Sequence, residues 1–425
     1  MTRSLWRHAD FLKLWAAQAV SAFGSRITRE GLPMAAILTL DARPGQLGLL
    51  AALSLGPGVI LGLFAGGWAD RNYRRPILIG SDLIRVLMLL SVPVAAWMHW
   101  LTMPQLYVVA AVVGAAGLMF AIADHAYLPG LIGRDQLMEG NTKLGVTESM
   151  AEIGGPALAG VLFRLLSAPI ALLVNAGTYL VSALFLLAIR NPEPPPEAMP
   201  RARHPFEDLV FGFTAIRSQP LVRPLLTMTV LQTLFSSFFA GLYLLFAIRE
   251  LGLSTPLLGA IIAVGGVGAL LGAVIAPWSV KRLGLGPAIL WLGLAAAASA
   301  VFIPLAPPTV VGGAALLILG QIFGDALAVA AMIPAGTLRQ SVFPAAQLGR
   351  TGAVFHVARG AMSVAGALLG GAAAQAFGVR ETMWVAVAGM VLAGLIPFAS
   401  PLRTLKALPD QPASPDPLAL QSNSS

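Results

Sequence analysis

No cysteine occurs anywhere in these 425 residues. Disulfides, thiolate metal sites and cysteine nucleophiles are excluded, and the redox compartment leaves no trace. Charge is scarce too: Asp, Glu, Lys and Arg make up 11% of the chain, where a soluble domain carries about 25%. The five histidines are scattered, with no spacing that suits a metal. There is no Gly-x-x-x-x-Gly-Lys-Ser/Thr loop, which argues against direct ATP drive. Nor is there an acidic metal-binding pair or His cluster of the kind a polytopic membrane enzyme needs. The expectation is a protein that is not an enzyme and needs no cofactor. A cleavable signal is not evident: the first apolar run, 11–40, is too long and is interrupted by Arg26, Arg29 and Glu30.

What abounds is apolar surface. Hydrophobic residues make up 57% of the chain and mean hydropathy is +0.80. A helix needs about 20 apolar residues to cross ~30 Å of hydrocarbon. Twelve such runs are legible, near 11–40, 46–69, 76–98, 104–123, 142–166, 168–190, 221–248, 256–279, 287–305, 309–331, 351–377 and 381–399. The fold class expected is an all-α membrane protein of twelve transmembrane helices in two six-helix bundles.

The net charge of +8 does not point to nucleic acid, because the bases sit in short loops. One set of loops and termini holds nineteen Lys and Arg, from Arg3, Arg7 and Lys13 through Arg71, Arg74, Arg75 and Arg217 to Arg403 and Lys406. The opposite set holds four: Arg43, Arg164, Arg249 and Arg380. The positive-inside rule then places both termini in the cytoplasm, with the chain in a bacterial inner membrane.

One polar stretch, 191–220, breaks the rhythm and divides the chain into an N-terminal bundle, 1–190, and a C-terminal bundle, 221–400. It opens on Pro192, Pro194, Pro195 and Pro196, a semi-rigid extended segment. Its second half sets Phe206, Leu209, Val210, Phe213 and Ile216 on one helical face, as in a helix lying on the membrane surface. The tail, 401–425, is rich in Pro and Ser and is expected to be disordered. The halves read as repeats. Gly154-Gly155-Pro156-Ala157-Leu158-Ala159-Gly160 is echoed by Ala365-Gly366-Ala367-Leu368-Leu369-Gly370-Gly371, 211 positions later. Parallel six-helix repeats are a transporter plan.

Small residues recur every four positions at Gly58, Gly62 and Gly66, at Gly268 and Gly272, and at Gly366 and Gly370. This spacing lets helix backbones approach closely in lipid. Charges inside the apolar runs are costly unless they face a partner or a watery cavity. Glu152, Glu148, Asp325 and Glu30 are therefore candidate proton carriers, the first two preferred. Arg26, Arg359 and His356 are candidates for an anionic substrate or a carboxylate partner, and Gln18, Gln232 and Gln321 for hydrogen bonds to a ligand. Phe235, Phe238, Phe239 and Tyr243 are candidates to line an apolar cavity or to face lipid.

The turn after the second run reads Gly66-Gly67-Trp68-Ala69-Asp70-Arg71-Asn72-Tyr73-Arg74-Arg75. It resembles the Gly-x-x-x-Asp-Arg-x-Gly-Arg-Arg loop of the major facilitator superfamily, with Tyr73 in place of the usual Gly. Gly155, Pro156 and Gly160 resemble a signature common in drug:proton antiporters, although Ala151 and Ala159 stand where that signature often has Gly. Leu32-Pro33, Gly140-Asn141-Thr142-Lys143-Leu144 and Gly349-Arg350 resemble the branch that holds enterobactin exporters and macrolide efflux proteins. The resemblance implies secondary transport by alternating access, with spans two and eleven, and five and eight, meeting across the halves. It implies a latch in which Asp70, in the loop with Arg71, Arg74 and Arg75, faces the amino end of span eleven; Asp82 and Arg85, three apart at the start of span three, are candidates to complete the charge network. The function expected is proton-coupled efflux of a small amphipathic molecule such as a drug, siderophore or secondary metabolite, by a monomer. An uncoupled facilitator or lipid flippase of the same fold is the alternative.

Overall fold

The computed structural model describes residues 4–69, 71–193 and 205–409. Fourteen α-helices fill them: α1 (Ala9–Thr39), α2 (Pro44–Ala69), α3 (Arg74–Trp97), α4 (Met103–Ile132), α5 (Leu137–Leu166), α6 (Ala168–Leu187), α7 (Pro205–Ser218), α8 (Arg223–Ser236), α9 (Leu242–Arg249), α10 (Thr255–Leu283), α11 (Leu285–Ser299), α12 (Val310–Val342), α13 (Ala345–Phe377) and α14 (Val379–Leu395). Their ends follow the local chemistry. Pro44, Pro104, Pro169, Pro224 and Pro256 stand in first turns, where a missing N–H costs no hydrogen bond.

Eleven stretches among the described residues are long and apolar enough to cross a membrane. The 31-residue α1 is not among them, since it carries Arg26, Arg29 and Glu30. The seventh run is one stretch, Arg223–Arg249, but two helices, α8 and α9. Gly241 breaks it at φ 76°, in the left-handed region that suits glycine. Several helices run past their apolar stretches; α4 continues to Ile132 and α12 to Val342. Helical hydrogen bonding persists in the headgroup region, so a helix outlasts its greasy part.

α1 packs on α5 and α6, and α3 on α4 and α6, building one half. α10, α11 and α12 pack together, as do α8, α13 and α14, building the other. The halves meet along two seams, α2 with α13 and α5 with α10. At the first, Gly48 and Gly371 lie so close that a Cβ on either would strike the other helix's backbone. At the second, Gly160 faces Gly259 in the same way. The other expected ladders do different work. Gly268 and Gly272 abut the backbone of α12, and Gly366 and Gly370 abut the segment 234–238, all within the C-terminal half. Gly155 abuts the stem of Arg26, Gly62 only approaches Leu118, and Gly58 faces open space.

The two ends of the molecule differ. At the end away from the linker, one continuous hydrophobic core joins the halves, from Ile37, Leu47 and Leu50 to Phe246, Leu258 and Ile261. Arg249 pairs with Asp41 there, and the Gly45 N–H donates to Gln375. At the linker end the core divides. Leu5, Phe11 and Leu78 belong to one cluster, and Ile216, Leu285 and Leu338 to another. Among the described residues, no ion pair or side-chain hydrogen bond joins the halves at that end. Among the described residues the halves are joined at the far face and parted at the linker face.

Part of the expected disordered tail is ordered. Residues 401–409 are described: Leu402 is fully buried, and the N–H groups of Leu285 and Gly286 donate to the carbonyls of Lys406 and Leu405. These bonds satisfy the otherwise unpaired start of α11. Residues 410–425, and 194–204 in the linker, lie outside the described residues.

Candidate functional site

Between the halves lies a large cavity of about 1370 Å³. Its lining comes from both repeats. The N-terminal half contributes Arg29, Glu30, Ser54 and Arg85, and the C-terminal half Gln232, Tyr243, Gln321, Asp325, Arg339, His356 and Arg359. Among the α12 contributors, Gln321, Asp325, Ala328, Met332, Ala335 and Arg339 recur every three or four residues and so share one helical face.

On the N-terminal side the charges are paired. Glu152 accepts from Arg26 and, at 3.2 Å, from Arg29. Arg29 also reaches Glu30 at 3.3 Å, and Glu148 sits 4.0 Å from Arg26. These groups gather where α1 meets α5, because Gly155 leaves room for the stem of Arg26. Arg26, Glu148 and Glu152 do not line the large cavity; Arg29 and Glu30 do.

Asp82 and Arg85, expected to complete the loop's charge network, are instead buried about two and about three turns into α3. Arg85 Nη1 lies 3.2 Å from Asp82, and Nη2 donates to the Ala116 carbonyl at 3.2 Å. Its guanidinium lies 4.8 Å from the ring centre of Phe120 and 4.9 Å from that of Tyr179. Such a pair is bound within one half rather than across the seam.

On the C-terminal side of the cavity the lining charges have no ionic partner among the described residues. Among the described residues, Asp325 has no basic partner, and His356 and Arg359 have no acidic one. Asp325 lies against Gly265 of α10, whose missing side chain gives the carboxylate space. Tyr243 presents a buried hydroxyl with no hydrogen-bond partner among the described residues.

Other candidates separate. Gln232 and Gln321 line the cavity, whereas Gln18 does not: it donates to Asp124 of α4. Phe239 and Tyr243 line the cavity, while Phe235 packs on Gly389 and Phe238 on Gly370. Arg75 binds the carbonyls of Leu186 and Leu187 at the end of α6, and the N–H groups of Arg74 and Arg75 donate to Glu193. These basic residues of the loop tie the first half to itself and to the start of the linker. Asp70, the expected latch, lies outside the described residues, and so do the side-chain surroundings of Gly66.

Sequence reasoning passes over Arg339, one of the nineteen basic residues assigned to the loops on the side of the termini. The three-and-four spacing from Gln321 through Asp325 was the signal that could have found it. It also passes over Gly48 and Gly259, which belong to no visible ladder, and quotes Gly371 only as part of the repeat.

The comparisons with known proteins agree with this geometry. The chain is 26% identical over 407 residues to the uncharacterized MFS-type transporter YfiS of Bacillus subtilis, covering 93% of this chain and 94% of that one. It is 26% identical over 394 residues to the enterobactin exporter EntS of Citrobacter koseri, covering 92% and 91%. The crystal structure of the nucleoside transporter NupG superposes with a TM-score of 0.74 at 14% identity, over 92% of this chain and 98% of that one. The sequence pattern of the Major Facilitator Superfamily spans residues 14–364, and with two packed halves around a central cavity the chain belongs to that superfamily of multi-pass membrane transporters.

Proposed function

We propose that this transporter exports a small amphipathic molecule in exchange for protons, by alternating access, with both termini in the cytoplasm of a bacterial inner membrane. The excess of basic residues in the linker-side loops supports that orientation. The structure then corresponds to the inward-open state, and the Asp70 latch to contacts that form when the linker face closes. An enterobactin exporter among the relatives supports efflux as the direction.

The observation that carries proton coupling is Asp325. It is a cavity carboxylate with space around it and no basic partner among the described residues. Protonating Glu152 would cost two ion pairs with Arg26 and Arg29; protonating Asp325 costs none. Asp325 therefore comes ahead of Glu152 and Glu148 as the group that takes a proton from one side and releases it to the other. Rocking about the Gly48–Gly371 and Gly160–Gly259 crossings carries it between the two faces.

The test uses inverted membrane vesicles, an acidified lumen reported by a quenched amine dye, and a panel of amphipathic compounds of each charge type. At least one compound should release the quench with the native chain. Asp325→Asn should abolish that release while sparing energy-independent counterflow of the same compound. No release by any compound would favour an uncoupled facilitator. Orientation is tested separately. A thiol introduced by Arg43→Cys should be labelled from outside intact cells, and one introduced by Arg217→Cys should not; the reverse pattern would invert the topology.

A further inference from the structure

The cavity's charge changes along its depth. On α13, Gly352, His356 and Arg359 face the cavity at intervals of four and three, one face of a helix. Arg339 of α12 lines it as well, its guanidinium 5.0 Å from the ring centre of Phe355. Three basic side chains thus gather on the C-terminal wall. Among the described residues, none of them has an acidic partner. Asp325 shares a helix and a face with Arg339 but lies fourteen positions away, about 21 Å at ~1.5 Å per residue.

Unneutralised cations are costly in a membrane protein unless a watery cavity or a counter-charge serves them. Low-dielectric walls also focus their field into the space between. Building on the cavity as the transport path, we infer that Arg339, His356 and Arg359 form an anion site, and that the transported molecule is an organic anion: a carboxylate, sulfonate or phosphate head on an apolar body. Arg359 offers a planar fork of donors to such a head. Phe355 holds the Arg339 guanidinium by its face, which leaves the N–H edge free to donate. Phe355 and Met332 offer apolar surface beside the basic groups, and Phe239 extends it within the same cavity. The head and the proton then bind different groups on one helix, Arg339 and its neighbours for the first and Asp325 for the second. Exchange would depend on the movement of the halves, and not on competition for a single charge.

The cysteine-free chain makes the test direct. At Gly352 an added Cβ meets nothing within 4 Å, so Gly352→Cys places a thiol beside the basic groups without a clash. Ala328→Cys, also in the cavity, places one three residues from Asp325. In the purified full-length protein, each thiol is reacted with the anionic sulfonatoethyl and the cationic trimethylammonioethyl methanethiosulfonate, and the rates are normalised to a free thiol in solution. The anionic-to-cationic ratio at position 352 should exceed that at 328 by roughly fivefold or more, and adding Arg339→Gln and Arg359→Gln should bring the two within about twofold. Millimolar 2-naphthoate should slow modification at 352, and its neutral amide should not. Equal or inverted ratios would overturn the basic wall. A raised ratio with naphthoate and amide protecting alike, or with neither protecting, would overturn the anion site. None of these measurements reads proton movement, so their failure leaves proton coupling standing, and a loss of coupling leaves them standing.

Discussion

Around the cavity, the two halves of this transporter treat charge in opposite ways. In the N-terminal half, Arg26, Arg29, Glu30 and Glu152 neutralise one another, and Arg85 is held by Asp82. In the C-terminal half, Asp325, His356 and Arg359 line the cavity with no partner of opposite sign among the described residues. The repeat offset of 211 places Glu148 and Arg359 at equivalent positions with opposite charge. Paired ions hold helices together and resist titration or ligand exchange, since freeing one leaves the other uncompensated. Unpaired ions in a cavity remain available to a proton or a substrate. A duplicated six-helix unit can therefore keep one packing plan while one copy serves as scaffold and the other as reader.

The most severe way to break this contrast is Arg359→Glu, which gives the C-terminal wall the charge of its repeat mate. Transport of an anionic substrate should fall by about tenfold or more, because like charges across a contact cost several kcal/mol. The unfolding midpoint should barely move, because no ion pair is lost. A large drop in midpoint would show that Arg359 is structural.

Next in size is a change at the hinge that both halves share. Gly160→Val places side-chain atoms where the backbone of Thr255 and Pro256 already lies, and overpacking of this kind costs about 1–3 kcal/mol. The same change at Gly58, which faces open space, should leave thermal stability within about 0.5 kcal/mol. Equal effects at the two sites, read by thermal unfolding in detergent, would mean that the α5–α10 seam is looser than the structure shows.

Arg26→Gln sharpens the paired side. It leaves Glu152 with Arg29 alone. Glu152 is about half exposed, with a side-chain exposure of 46%, so the loss should be near 1 kcal/mol rather than the value for a fully buried pair. Arg26→Lys should recover part of it. No change in either stability or transport would remove the scaffold role from the α1–α5 cluster.

The smallest effect is expected at the linker. Asp208 of α7 pairs with Arg350 of α13 at 2.8 Å, and both groups are partly exposed. Asp208→Ala should cost no more than about 1 kcal/mol. Faster protease cleavage after Arg217 would report the loosened helix. A loss of several kcal/mol would show that the linker holds the C-terminal half together.

Composition and periodicity decide how this chain meets its solvent. Twelve apolar runs with basic turns must become helices in lipid, because an unpaired backbone amide is too costly there for any other arrangement. Arg26, Arg29, Glu30, Glu148, Glu152, Asp325, His356 and Arg359 were also legible, since charges are conspicuous inside apolar runs. Which of them pair was not. Arg26 and Glu152 are 126 positions apart and meet because Gly155 admits the arginine stem between α1 and α5; pairing across helices depends on their rotation and depth, which no local pattern encodes. The same holds for the seams. Gly58 and Gly62 carry the expected spacing, yet the close crossings fall at Gly48 with Gly371 and at Gly160 with Gly259. Spacing marks a smooth helix face, but only the packed bundle decides what that face meets, and in which of its states.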